Sequence, residues 1–145
     1  MHPYTYAISL RVCHPNIDPT AITDALALEP ARAWKSGSPR QTPKGTPLEG
    51  VYRETYWYTK LIPDGECSSE GTLFEEYLAH FEKMLAPSKE FFARIRAEGG
   101  RVELFIGMYG ARNYGFELSP TLLAAVADLG LSLSFDVYPY PQNWR

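Results

Sequence analysis

Tyr4-Thr5-Tyr6-Ala7-Ile8-Ser9-Leu10-Arg11-Val12-Cys13, followed shortly by Ile17-Asp18-Pro19-Thr20-Ala21-Ile22, decides the fold of this 145-residue chain. In the first stretch Tyr4, Tyr6, Ile8, Leu10 and Val12 alternate with Thr5, Ala7, Ser9, Arg11 and Cys13. Only an extended backbone sends successive side chains to opposite faces, so this is a strand with one buried side. The second stretch is a helix start. Asp18 offers a carboxylate to the orphan N–H groups, and Pro19 sits at the first helical position, where its missing N–H costs nothing. Ile17 and Ile22 are spaced to clasp each other across the cap. The helix carries Ile22, Ala25, Leu26 and Leu28 and has to stop before Pro30.

The same signal recurs as Leu118-Ser119-Pro120-Thr121 with Leu123. Apolar clasp, cap, proline and threonine match at a constant offset, each copy after a strand and before a helix. The recurrence predicts a repeated β-α-β unit. The second helix presents Leu122, Leu123, Val126 and Leu129 to the core and ends at Gly130. A last strand over 131–138 follows, with Leu131, Leu133, Phe135 and Val137 inward. Pro139 and Pro141 end it, and Trp144 falls in the tail.

Working outward from these units, Val51 to Leu61 reads as an aromatic strand closed by the turn Pro63-Asp64-Gly65. Thr72 and Glu75 have the spacing of a capping box, opening a helix with Leu73, Phe74, Tyr77, Leu78, Phe81 and Leu85 at helical spacing. Pro87 interrupts it, Ser88 caps a second segment with Phe91, Phe92 and Ile95, and Gly99-Gly100 ends that segment. Residues 101–108 and 113–118 alternate again, and their closeness predicts a hairpin. The order β α β α(α) β β α β gives an α+β fold. It is read as a ferredoxin-like two-layer sandwich built from a repeated β-α-β unit, its sheet mostly antiparallel and its helices on one face. Residues 1–145 form a single domain. The face away from the helices is expected to carry Arg11, Arg53, Thr55, Trp57, Glu103, Phe105, Glu117, Ser132, Ser134, Asp136 and Tyr138.

Residues 30–50 hold Pro30, Pro39, Pro43 and Pro47 with Gly37, Gly45 and Gly50, which predicts a long loop. Within 30–48, Arg32, Lys35, Arg40 and Lys44 stand without an acid, although the chain carries a formal net charge of −3. Trp34 gains by docking on the sheet, Gly37 permits a turn, and Arg40 is placed to stack on an aromatic or to meet a carboxylate. The loop is either a latch on the sheet or a binding loop. Trp34, Arg40, Arg53, Trp57 and Tyr138 are the candidate ligand- or partner-binding residues.

Other chemistry is weaker in the sequence. His2, His14 and His80 have no metal-ligand spacing with Cys13 or Cys67, so no metal site and no cofactor are expected. Neither cysteine has the surroundings of a nucleophile. The prolines around Gly37 to Gly45 remove the N–H donors of a phosphate cradle. Glu103, Glu117 and Asp136 share a predicted face, where pairing with Arg11 or Arg53 is simpler than acid–base work. A pI near 5.6 argues against nucleic acid as a partner. No apolar run suits a membrane span and no signal peptide is visible, so a cytoplasmic protein with reduced thiols is expected, either monomer or homodimer.

At Asp18, Ile22 and Leu26, at Leu28-Glu29-Pro30, at Trp34 with Gly37, in the strand around Trp57, and at Leu129-Gly130 with Asp136 and Tyr138, the sequence resembles an uncharacterised bacterial family labelled domain of unknown function 4279. The resemblance covers nearly the whole chain and brings no established activity, cofactor or catalytic residue with it. The expected function is a non-enzymatic protein-interaction module, in one form an immunity-type protein. The alternative is a small-ligand binding protein or enzyme that uses the 30–50 loop.

Overall fold

A computed structural model describes residues 1–141. Its elements run β1 (Thr5–His14), α1 (Pro19–Leu26), β2 (Arg32–Trp34), β3 (Pro39–Gln41), β4 (Pro47–Val51), β5 (Thr55–Lys60), β6 (Cys67–Ser68), α2 (Phe74–Leu85), a short 3-10 turn, α3 (Lys89–Ala97), β7 (Arg101–Tyr109), α4 (Pro120–Asp128) and β8 (Ser132–Tyr138). The architecture is α+β, with a mixed, mostly antiparallel sheet ordered β2-β5-β1-β7-β8. Trp144 lies outside the described residues.

The alternation of β1 is realised as predicted. Tyr6, Ile8, Leu10 and Val12 are buried under the helix layer with Leu104 and Ile106 of β7. Phe74, Leu78, Phe81 and Leu85 of α2, Phe92 and Ile95 of α3, Ile22 of α1 and Val126 of α4 fill the space between the layers. A fully buried Leu or Phe contributes about 2–3 kcal/mol by leaving water, so this single seam accounts for most of the drive to fold.

Strand directions follow from the pairings. β5 is antiparallel to both β1 and β2, and β7 is antiparallel to β1. The parallel strands β1 and β2 therefore flank β5, while the parallel strands β5 and β7 flank β1. Two β-α-β units interleave, one crossing through α1 and one through α2 and α3. α4 and β8 are added outside this core, with β8 parallel to β7.

The repeated motif thus marks two helix starts but not two halves of the sheet. Both caps form: Asp18 accepts the Thr20 N–H at 2.9 Å, and Ser119 Oγ accepts the Leu122 N–H at 3.1 Å. The clasp forms only in the first copy. Ile17 and Ile22 are buried, whereas Leu123 is 48% exposed, because α4 turns Leu122 and Val126 toward the core.

The predicted hairpin of 101–108 with 113–118 is absent. The edge of β7 is taken by β8 in an unbroken parallel register from Glu103↔Ser132 to Tyr109↔Tyr138. The aromatics of 113–118 dock instead: Tyr114 stacks on Tyr4 at 4.8 Å and Phe116 on Phe135 at 5.8 Å. Phe135 and Val137, expected inward, lie on the helix side of the sheet's outer edge but are exposed: Phe74 of α2 meets the Phe135 ring edge-on at 5.8 Å without closing over it. The start of α2 also differs. Leu73, expected on the apolar stripe, flanks the helix exposed and with no side-chain cap, the Thr72 carbonyl accepts the Tyr6 hydroxyl, and the Glu75 carboxylate accepts the Glu117 N–H. Ser88 likewise makes no cap hydrogen bond at α3.

Candidate functional site

The sheet face away from the helices is built in rows by the strand registers. Trp34, Tyr56, Cys13 and Arg101 form one row; Arg32, Tyr58, Arg11, Glu103 and Ser132 form the next. Lys60, Ser9, Phe105 and Ser134 follow, then Ala7, Gly107 and Asp136, then Thr5, Tyr109 and Tyr138. Charged and aromatic side chains interleave across the whole width of a surface that no helix covers.

The residues 30–50 are not an irregular loop. β2 joins the sheet edge beside β5, and β3 with β4 makes a separate hairpin whose strand residues are all exposed. Gly37 stands at φ +85°, a backbone conformation open to glycine, where the chain turns from β2 into the hairpin. Its N–H donates to the Tyr52 carbonyl at 2.8 Å and closes the base of the hairpin.

Trp34 is the hinge between hairpin and sheet. Its ring is sandwiched by Tyr52 at 4.3 Å and Tyr56 at 4.5 Å, with the Arg32 guanidinium 4.9 Å from its centre. Tyr52 on the hairpin exchanges hydrogen bonds with Gln41 through its hydroxyl. The Arg32 guanidinium donates to the Gln41 carbonyl at 2.9 Å. Both faces of the indole are occupied, so Trp34 fastens the hairpin to β5.

At the centre, Arg11 lies 3.6 Å over the Phe105 ring and 3.6 Å from the Glu103 carboxylate. Ser134 Oγ donates to the other Glu103 oxygen at 2.8 Å. These bonds tie β1, β7 and β8 together through one carboxylate, and they realise the expected Arg11–Glu103 pairing. At the far end Tyr109 and Tyr138 stack at 4.8 Å, and the Tyr138 hydroxyl donates to Asp136. That bond holds the phenol protonated: its pKa is pushed up to about 12, because losing the proton would set two anions side by side. Burial pushes the Cys13 thiol and the Tyr56 phenol up as well. A thiol shifted in that direction is a poor nucleophile.

The five candidate residues do not converge. Arg40 and Arg53, both exposed, line one cleft of about 590 Å³ with Glu49, Gly50, Val51 and Tyr52. Trp34 adjoins that cleft through Tyr52. Tyr138 lies at the opposite edge, on β8. Trp57 is on the other side of the sheet altogether, fully buried, with its Nε1–H donating to Thr23 Oγ1 on α1. The face of β5 was therefore inverted in the sequence reading: Tyr56 and Tyr58 look outward, while Thr55 and Trp57 look inward. Glu117 is not on the sheet but in the segment before α4. The sequence reading missed Tyr56, Tyr58 and Tyr109 as face residues. Cross-strand register against Arg11 and Ser9 was the signal needed to place them.

A second depression lies at the lower rows, about 520 Å³, lined by Ala7, Ser9, Lys60, Asp64, Gly65, Glu66 and Tyr109. Beyond Tyr109 it meets a cleft of about 600 Å³ that includes Tyr4, Thr5, Glu66, Ser68, Glu70 and Arg112. No helix among the described residues is long and apolar enough to cross a membrane.

A family model described as "Domain of unknown function (DUF4279)" matches residues 2–140. No curated protein and no solved structure matches the chain.

Proposed function

For this chain, which belongs to the family described as domain of unknown function 4279, we propose a non-enzymatic, cytoplasmic protein-interaction module that recognises its partner with the open sheet face and the Trp34-anchored hairpin. The single observation that carries the reading is the uncovered face itself, where Tyr58 and Arg11 stand in one row, Phe105 in the next and Tyr109 two rows beyond. Tyr and Arg are the residue types that dominate binding energy at protein interfaces, because each adds a large, rigid area with a polar end. The carboxylates of this face are already paired, Glu103 with Arg11 and Ser134, and Asp136 with Tyr138. Such pairing holds the surface in one shape before a partner arrives and favours recognition over chemistry.

The interleaved β-α-β units support a ferredoxin-like reading of the core, with α4 and β8 as an addition. An immunity-type role, binding and silencing a toxin encoded beside it, is the particular form we favour.

Photo-crosslinking from the native cytoplasm tests the proposal. A photoreactive residue replacing Tyr58 is expected to capture one defined protein, and the same residue replacing Glu82 on α2 is expected to capture none. Capture from Glu82 alone, or from neither position, overturns it.

The cleft that Arg40 shares with Arg53 favours a second reading, binding of a small anionic ligand at the hairpin. Loss of a ligand-induced melting shift in Arg53→Ala, with crosslinking from Tyr58 unchanged, separates this reading from the first.

A further inference from the structure

The two edges of the sheet are built differently. β2 is three residues long, carries Arg32, and leads straight into the hairpin. Short length and a cation are the usual guards against pairing with another chain. β8 has neither guard. It runs seven residues, Ser-Leu-Ser-Phe-Asp-Val-Tyr, with no Lys, Arg or Pro and no break in register. It ends the sheet, and no described strand pairs with its outer side.

The direction of its free groups follows from one bond. The Gly110 N–H donates to the Tyr138 carbonyl at 3.3 Å, so the backbone groups of Tyr138 point toward β7. Successive residues of a strand point their N–H and C=O to opposite sides. Ser132, Ser134 and Asp136 therefore also point inward, while Leu133, Phe135 and Val137 direct theirs out of the sheet. The side chains at this edge are apolar too. Phe135 is 38% exposed, Val137 59%, and Phe116, stacked on Phe135, 36%.

We infer that β8 pairs antiparallel with β8 of a second copy of this chain, about a two-fold axis at Phe135. Phe135 is the midpoint of Ser132–Tyr138, and its N–H and C=O face outward, so it forms a hydrogen-bonded pair with itself across the axis. Leu133 then meets the second copy's Val137, and the reverse, giving about six main-chain hydrogen bonds in all. On the helix side the pairs are Phe with Phe and Leu with Val. On the open face they are Ser134 with Asp136 and Ser132 with Tyr138, with no like charges directly opposed. An axis perpendicular to the sheet leaves both open faces on the same side, so the dimer presents one continuous surface. The pairing stands on the strand edge alone and does not depend on what that surface binds.

Sedimentation equilibrium on the full chain tests it. The wild type is expected to sediment at twice the 16.4 kDa chain mass at tens of micromolar. Val137→Pro removes one outward N–H at an edge position that tolerates proline, and Val137→Lys installs an edge guard. Each is expected to weaken the dimer ~10-fold or more with circular dichroism unchanged, and with melting unchanged at dilutions where the wild type is also monomeric. Should the proline variant fail to fold, the lysine variant decides. Phe135→Cys is expected to form an intermolecular disulfide under mild oxidation, since facing residues of a hydrogen-bonded pair lie about 5.5 Å apart, within disulfide reach. Val137→Cys is not. A monomeric wild type at several hundred micromolar, an undiminished dimer in both Val137 variants that fold, or equal crosslinking at 135 and 137 overturns the inference.

Discussion

Trp57 and Thr23 belong to different layers and are joined by a hydrogen bond: the indole Nε1–H of β5 donates to the hydroxyl of α1 across 3.0 Å. Trp57 is 0% exposed, so this is the only way its N–H is satisfied among the described residues. Trp57→Phe removes the donor and part of the ring volume while keeping an aromatic. The loss is expected to be about 2–4 kcal/mol, mainly from the unfilled space, since the Thr23 hydroxyl keeps its hydrogen bond to the Pro19 carbonyl. Urea unfolding at neutral pH measures it. A loss below 1 kcal/mol contradicts the burial of Trp57.

His14 and Glu98 tie the end of β1 to the end of α3, with Nε2 of His14 2.8 Å from the Glu98 carboxylate. Nδ1 accepts the Asn16 and Ile17 N–H groups, which places the proton on Nε2 as donor to Glu98. That bond, with a second from Arg94, holds the Glu98 carboxyl below its ordinary value of 4.5. A depressed folded pKa makes its contribution complete above the unfolded pKa, and it is lost as pH falls through the folded one. Wild-type stability is therefore expected to exceed that of Glu98→Gln at pH 7 and to converge on it as the solution is acidified below 4.5. Parallel denaturant curves across pH 7 to 3 check this, and a constant gap between the two proteins refutes it.

Gly37 and Gly100 are needed for opposite reasons, and alanine at each distinguishes them. Gly37 has positive φ but empty space around an added Cβ, so only backbone strain of ~1 kcal/mol is expected for Gly37→Ala. At Gly100 an added Cβ falls on the Cys13 carbonyl oxygen, on Ile95 Cγ2 and on the Ile95 carbonyl. Gly100→Ala pushes α3 away from β1 and is expected to cost upward of about 3 kcal/mol. Thermal melts of the two variants are expected to differ by several degrees, with Gly100→Ala the lower.

On α4, Leu123 and Val126 are one turn apart and differ in burial, 48% against 3% exposed. Leu123→Asp is expected to leave a cooperative fold within about 0.5 kcal/mol of wild type. Val126→Asp puts an unpaired charge under the helix layer and is expected to abolish the folded state. Far-UV circular dichroism with an unfolding curve separates the two outcomes.

How much was legible in the sequence depended on whether the signal was local. The strict alternation of Tyr4 to Val12 placed β1 and its buried face, and Asp18-Pro19 and Ser119-Pro120 placed two helix starts, because caps and pleats are decided within a few residues. The face of β5 was lost because aromatics fill both its sides: Tyr56, Trp57 and Tyr58 are all large, and nothing local says which docks under α1. Leu123 was misplaced for a related reason, since apolar residues surround much of α4. The segment 113–118 alternates like a strand, yet its aromatics dock on Tyr4 and Phe135 while β8 takes the edge it was expected to occupy.

By itself the sequence determined the α+β class, the order of most elements, the Asp18 and Ser119 caps and the family resemblance, all properties of neighbouring residues. Tertiary structure alone decided which strands meet. It set β5 between β1 and β2, ran β8 parallel to β7, buried Trp57 and gathered Trp34 between Tyr52 and Tyr56. Those choices turn on the competition of distant segments for the same sheet edge and the same apolar surface. No window of the chain contains both competitors, so only the folded whole resolves them.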